Sequence, residues 1–189
     1  MRRREPEGAT RIGLISDTHG LMRPEALEAM RGCDAIVHAG DIGAPGILDA
    51  LAALAPATAV RGNNDTGPWA KQLPGLARME IAGVRILVIH DLHELDLARA
   101  LEEADVVVSG HSHKPRIDEV EGTLFVNPGS AGPRRFTLPV SVAYLDLAGG
   151  RATATLVPLA IATPPSRTPG RTRAARRGSG PPPSRPPRR

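Results

Sequence analysis

Residues 12–19 read Ile-Gly-Leu-Ile-Ser-Asp-Thr-His. A run of strand length ends in two polar side chains, Asp17 and His19. The pattern returns at residues 35–41, Ala-Ile-Val-His-Ala-Gly-Asp, and at residues 58–65, Thr-Ala-Val-Arg-Gly-Asn-Asn-Asp. Residues 12–16 are therefore read as a short buried strand, 35–39 as a second apolar strand and 58–61 as a third short strand. Pro24 suits the first turn of a helix running to residue 31, with Leu27 and Met30 on one face. Residues 47–54 fit a second helix, with Pro56 just beyond it. The order β-α-β-α-β predicts a parallel α/β sheet.

The second half changes character. Residues 77–81 and 84–89 flank Ala82-Gly83 and read as a hairpin. A helix over 95–103 and a strand over 106–108 follow. Residues 116–120, 124–126, 140–147 and 152–157 are strand-like with no helix between them. Asp118, Val120, Val142, Tyr144 and Asp146 carry traces of period two. A parallel first half and a more antiparallel second half predict a mixed sheet or two packed sheets.

Composition bounds the function. The 189 residues hold 24 Lys+Arg and 20 Asp+Glu, a net charge of +4, with a pI near 10.2. Residues 161–189 hold eight of the arginines and no acid, which leaves 16 basic and 20 acidic residues in 1–160, or −4. This segment also holds eight prolines and is read as a disordered Pro/Arg-rich tail, because it has almost nothing apolar to bury. Any nucleic-acid or acidic-partner argument rests on it alone. Four aromatics in the whole chain, Trp69, Phe125, Phe136 and Tyr144, argue against a base-stacking surface for single strands. The single cysteine, Cys33, leaves no intramolecular disulfide. Without an apolar run of membrane length or a signal-type leader, the expectation is a cytoplasmic protein with no membrane contact. Oligomeric state is not legible.

The polar residues fall where an α/β sheet binds ligands, just past the carboxyl ends of strands. Asp17 and His19 follow the first, Asp41 the second, and Asn63, Asn64 and Asp65 the third. His90 follows residues 84–89, and His111 and His113 follow 106–108. Imidazole with carboxylate suits divalent transition ions. Two Asp and four His exceed what one four-coordinate ion needs, so two ions with a shared carboxylate fit better. His38, inside a strand, reads as a core histidine or one that supports the ligands from behind. His93 reads as a surface residue and Cys33 as an inert small side chain.

Asp17-Thr-His19, Gly40-Asp41, Gly62-Asn-Asn-Asp65, His90 and Gly110-His-Ser-His113 together resemble the ordered motifs of the calcineurin-like metallophosphoesterase superfamily. The short length and Asn127-Pro-Gly-Ser-Ala-Gly-Pro-Arg134-Arg135 resemble its small YfcE-type phosphodiesterase branch. The resemblance covers residues 10–158 as one domain and implies a four-layer αββα sandwich with mixed sheets. It implies one metal on Asp17, His19, Asp41 and His113. The second would sit on Asp41, Asn63, His90 and His111, with Asp41 as the bridge. Manganese comes first, with Ni, Fe, Zn or Co as alternatives. The implied chemistry is hydrolysis of a small-molecule phosphate ester, a phosphodiester first, with small aryl or nucleotide diesters as candidates, by a hydroxide activated between two metals. Two positions depart from the pattern. Asn64 stands where larger members carry a histidine that protonates the leaving group, and an amide offers only a hydrogen bond to phosphate. Asp91 stands where a small residue is usual and adds an acidic group beside the ions. The alternative is a non-catalytic scaffold of the same fold, with the Arg-rich tail recruiting nucleic acid or an acidic partner. A complete set of seven ligands favours catalysis, because a scaffold is free to lose them.

Overall fold

The computed structural model describes residues 9–161. The expected disordered tail lies outside the described residues but for Ile161. Ten strands and three α-helices run in the order β1 (Thr10–Ile15), α1 (Pro24–Met30), β2 (Ala35–His38), α2 (Pro45–Ala52), β3 (Ala57–Ala59), β4 (Leu76–Ile81), β5 (Val84–Ile89), α3 (Leu97–Glu103), β6 (Val106–Val108), β7 (Arg116–Val120), β8 (Thr123–Asn127), β9 (Ser141–Ala148) and β10 (Arg151–Pro158). They form two five-stranded sheets, β10-β9-β1-β2-β3 and β4-β5-β6-β8-β7.

Both sheets are mixed. β1 pairs parallel with β2 and antiparallel with β9. β6 pairs parallel with both β5 and β8. The hairpins at the sheet edges turn through two left-handed residues each, for example Ala82 (φ 52°) and Gly83 (φ 75°). That geometry matches the twist of the flanking strands.

Side-chain alternation explains the layers. Ile12 and Leu14 of β1 meet Val84, Ile86 and Val88 of β5 in the core between the sheets. Ile15 faces the other way, onto Ala26 and Met30 of α1 and Ile47 and Leu51 of α2. Leu87 and Ile89 of β5 cover Ala100 of α3 on the far side. The result is α-β-β-α, the expected sandwich, and its core is aliphatic.

Several boundaries move by a residue or two from the sequence expectation, and three of the shifts have a local cause. α2 starts at 45 rather than 47, because Pro45 fits the first helical turn. α3 starts at 97 rather than 95, because Asp96 caps it by accepting from Arg99 N at 3.2 Å. β3 stops at Ala59 because Arg61 N leaves the ladder for the Pro74 carbonyl at 2.8 Å.

Candidate metal centre

Five strand-ending turns converge at one end of the sandwich. Main-chain bonds lock the first two together: Asp17 N donates to Gly40 O at 3.0 Å and His19 N to Asp41 O at 2.9 Å. Asp65 ties the third turn to the second, accepting from Gly43 N and Gly62 N at 2.8 Å each. Gly110 N donates to His90 O at 3.0 Å and joins the last two. The turns are strained. Asp17, His19, Asp41, His111 and His113 all have left-handed backbone, with φ between 45° and 64°. Non-glycine residues adopt that region at a cost that surrounding structure must offset, and such residues cluster at functional sites.

All seven expected ligands are brought together. Donor atoms of Asp17, His19 and His113 lie within 4.8 Å of one another, and so do those of Asp17, Asp41 and His90. Asp41 spans the cluster: Oδ2 lies 3.8 Å from His19 Nε2 and Oδ1 lies 3.5 Å from His90 Nε2. Asn63 Oδ1 lies 3.0 Å from both His90 Nε2 and His111 Nδ1. Asp17 thus belongs to both donor groups, a centrality that the strand-end pattern does not convey.

The donor chemistry fits divalent cations. Asp17 Oδ1 is buried and accepts no hydrogen bond among the described residues, although His113 Nε2 is 3.4 Å away. Its other oxygen lies 2.8 Å from Ser16 Oγ, whose one proton is also sought by Gly129 O at 2.6 Å. Burial pushes the Asp17 carboxyl up to about 7. His90 turns Nδ1 to the Ala39 carbonyl at 2.8 Å while oxygens of Asn63 and Asp41 face Nε2. Burial opposes charge on this ring, but the Asp41 carboxylate, the Ala39 carbonyl and Asp17 outweigh it and raise its pKa. The arrangement calls for positive charge beside Nε2, which a cation supplies as well as a proton does. Burial also opposes ionisation of Asp41, yet His90 and Asn64 outweigh it and hold the carboxyl below its usual range. Burial lowers His19, and burial with His19 and Arg135 nearby takes His113 to about 4. Both rings are neutral at pH 7, the form that binds metal. They stack at 5.1 Å with Nε2 atoms 3.3 Å apart.

The remaining residues fall as follows. Asn64 directs its amide to Asp41 Oδ2 at 2.6 Å and its backbone N–H to Oδ1 at 2.8 Å. His38 is buried and bonds Thr18 Oγ1 at 2.9 Å. His93, 92% exposed, bonds Asp91 Oδ1 at 2.8 Å. Asp91 Oδ2 lies 3.6 Å from His111 Nε2, so the acidic departure does sit at the centre's edge. Arg134 reaches the Leu138 carbonyl at 3.4 Å.

Sequence reasoning missed the scaffolding. Ser16 and Ser130 connect Asp17 to the loop after β8: Ser130 Oγ donates to Asp17 O at 2.9 Å. A Cβ on Gly62 would strike the Asp41 backbone and carboxylate, and one on Gly110 would come within 3.0 Å of Asp17 Oδ2. The available signal was the glycine placed beside each ligand turn.

A family model for the calcineurin-like phosphoesterase superfamily domain matches residues 10–150. The chain belongs to this superfamily. A probable metallophosphoesterase of Methanothermobacter thermautotrophicus is 38% identical over 158 residues, covering 77% of this chain and 91% of the relative. A phosphodiesterase of Methanocaldococcus jannaschii is 28% identical over 138 residues, covering 63% and 82%. Among solved structures, Vps29 of Chaetomium thermophilum superposes with a TM-score of 0.66 at 21% identity, covering 78% of this chain and 96% of that one. That last likeness concerns the fold alone. Membership makes the protein a phosphoesterase-type hydrolase that uses divalent metal. No helix among the described residues is long and apolar enough to cross a membrane.

Proposed function

We propose that this superfamily member is a dinuclear metal-dependent phosphodiesterase of the small YfcE-type branch. Asp17, His19, Asp41 and His113 hold one ion, and Asp41, Asn63, His90 and His111 the other. The observation that carries the reading is Asp41, whose two oxygens face different histidines, His19 and His90. Bound as a pair, divalent ions supply an acidified water as nucleophile and neutralise charge on the phosphoryl oxygens.

The chain's own residues set the stage. Asn64 fixes Asp41 from two N–H groups, so the carboxylate keeps its orientation when charge in the site changes. The Asn64 amide has a second N–H beyond the one given to Asp41, and that donor is the phosphate contact. Neutral His19 and His113 present nitrogen lone pairs, and the buried setting excludes water from their inner side. Asn64 has no proton to lend a leaving alkoxide, so good leaving groups react fastest. Manganese and a cytoplasmic setting belong to the same proposal, on the mixed imidazole–carboxylate donors and the single cysteine. The test is hydrolysis of bis(p-nitrophenyl) phosphate against p-nitrophenyl phosphate in Mn²⁺. Preference for the diester is expected, and a strong monoester preference would overturn the diesterase assignment.

A further inference from the structure

Beside the metal centre lies a cavity of about 290 Å³. His111 is the shared wall: it lines the cavity and holds Nδ1 3.0 Å from Asn63 Oδ1. Leu92, Phe125 and Val126 supply an apolar lining, and Lys114 and Arg116 also border it. Leu92 is 42% exposed, a large apolar side chain left open to solvent at the cavity.

We propose that this cavity takes an aromatic ring carried by the substrate's ester group, neutral or anionic, as in an aryl or nucleoside phosphodiester. The proposal rests on the phosphodiesterase reading, with the phosphate among the seven donors and the ring on the far side of His111. Size supports it. Whole ligands fill roughly 300–1,000 Å³, so this cavity holds a ring-sized part of one. Chemistry supports it as well, because Phe125 and Leu92 offer a face for a flat apolar group.

Charge narrows the class. Arg116 is paired with Asp118, and Asp91 accepts from His93 N and Nδ1 at 3.0 and 2.8 Å. Lys114 makes no ion pair among the described residues, and the two cations of the lining, Lys114 and Arg116, match its two carboxylates, Asp91 and Asp118. A quaternary ammonium ester is disfavoured, because the lining has no net negative charge and its single aromatic ring, Phe125, makes no cage for a cation. A long acyl chain is disfavoured by the small volume and charged border.

The test is an amide NMR titration of the full chain with AMP, phenyl phosphate, ribose 5-phosphate and phosphocholine, with Zn²⁺ and again with chelator. AMP and phenyl phosphate should shift the amides of Leu92, Phe125 and Val126 and bind roughly fivefold or more tighter than the two ringless ligands. Leu92→Trp, which fills the cavity from an exposed position, should bring the affinities for AMP and ribose 5-phosphate together. Lys114→Glu should raise phosphocholine relative to AMP. AMP tighter than phenyl phosphate identifies a nucleoside, and the reverse an aryl group. Unmoved amides at Leu92, Phe125 and Val126, or equal affinities with and without a ring, overturn the assignment. Shifts at these amides in a protein that hydrolyses no phosphodiester would sink the phosphodiesterase reading and leave the ring site standing. Hydrolysis with unmoved amides would do the reverse.

Discussion

Asn64 holds Asp41 from two points, with its amide 2.6 Å from Oδ2 and its backbone N–H 2.8 Å from Oδ1. The residue that departs from the proton-donating histidine of larger superfamily members is thus the support of the carboxylate that spans the cluster. Asn64→Ala keeps the backbone bond and loses the amide. Metal affinity, read by calorimetry, should fall about 10- to 100-fold, the usual effect of removing a group that orients a ligand. Unchanged affinity would show that Asp41 needs no such support.

Asn64→His restores a titratable donor beside the phosphate. The rate on an alkyl diester relative to an aryl diester should rise by about tenfold or more, because only the poor leaving group needs the proton. An unchanged ratio would mean that protonation does not limit the alkyl reaction.

Burial pushes Asp17 up to about 7 from its ordinary 3.8, with Ser16 and His90 acting against the rise. The folded chain then holds a proton that the unfolded chain releases. This group's contribution to stability is full below about pH 3.8 and is lost as pH rises through 7. In chelator-treated protein, the Asp17 side-chain carboxyl ¹³C signal should titrate near pH 7. Metal should abolish that titration, and metal affinity should weaken as pH falls below 7. A midpoint near 4 without metal would contradict the account.

Gly62 lets its turn press against Asp41, where a Cβ would strike backbone N and Oδ1. Gly62→Ala should cost about 1–3 kcal/mol in chemical denaturation and reduce metal uptake as well. Destabilisation with normal metal uptake would separate the packing from the site.

Much of this was legible in the sequence because it is local. The run at 12–16 ending in Asp17 and His19, Pro24 at a helix start, and Ala82-Gly83 between two strand-like runs each announce themselves over a few residues. The seven candidate donors were legible as a group because each follows the end of a strand. What stayed hidden depends on distant packing. Nothing local says that β9 flanks β1, or that β8 returns beside β6 after β7. Asp65 looked like one more turn acid, yet it joins two loops through Gly43 and Gly62. The left-handed backbone at Asp17, Asp41 and His111 is imposed by neighbouring turns, and the cavity at His111 arises only when the loop after β5 meets β7 and β8.

The most direct measurement is hydrolysis of bis(p-nitrophenyl) phosphate by chelator-stripped protein resupplied with Mn²⁺, beside Asp41→Asn, with bound metal counted by mass spectrometry. The account predicts no turnover when stripped, recovery with about two Mn per wild-type chain, and neither recovery nor a full metal complement in Asp41→Asn. No turnover with Mn, Ni, Co, Fe or Zn, or full rate in Asp41→Asn, would contradict it.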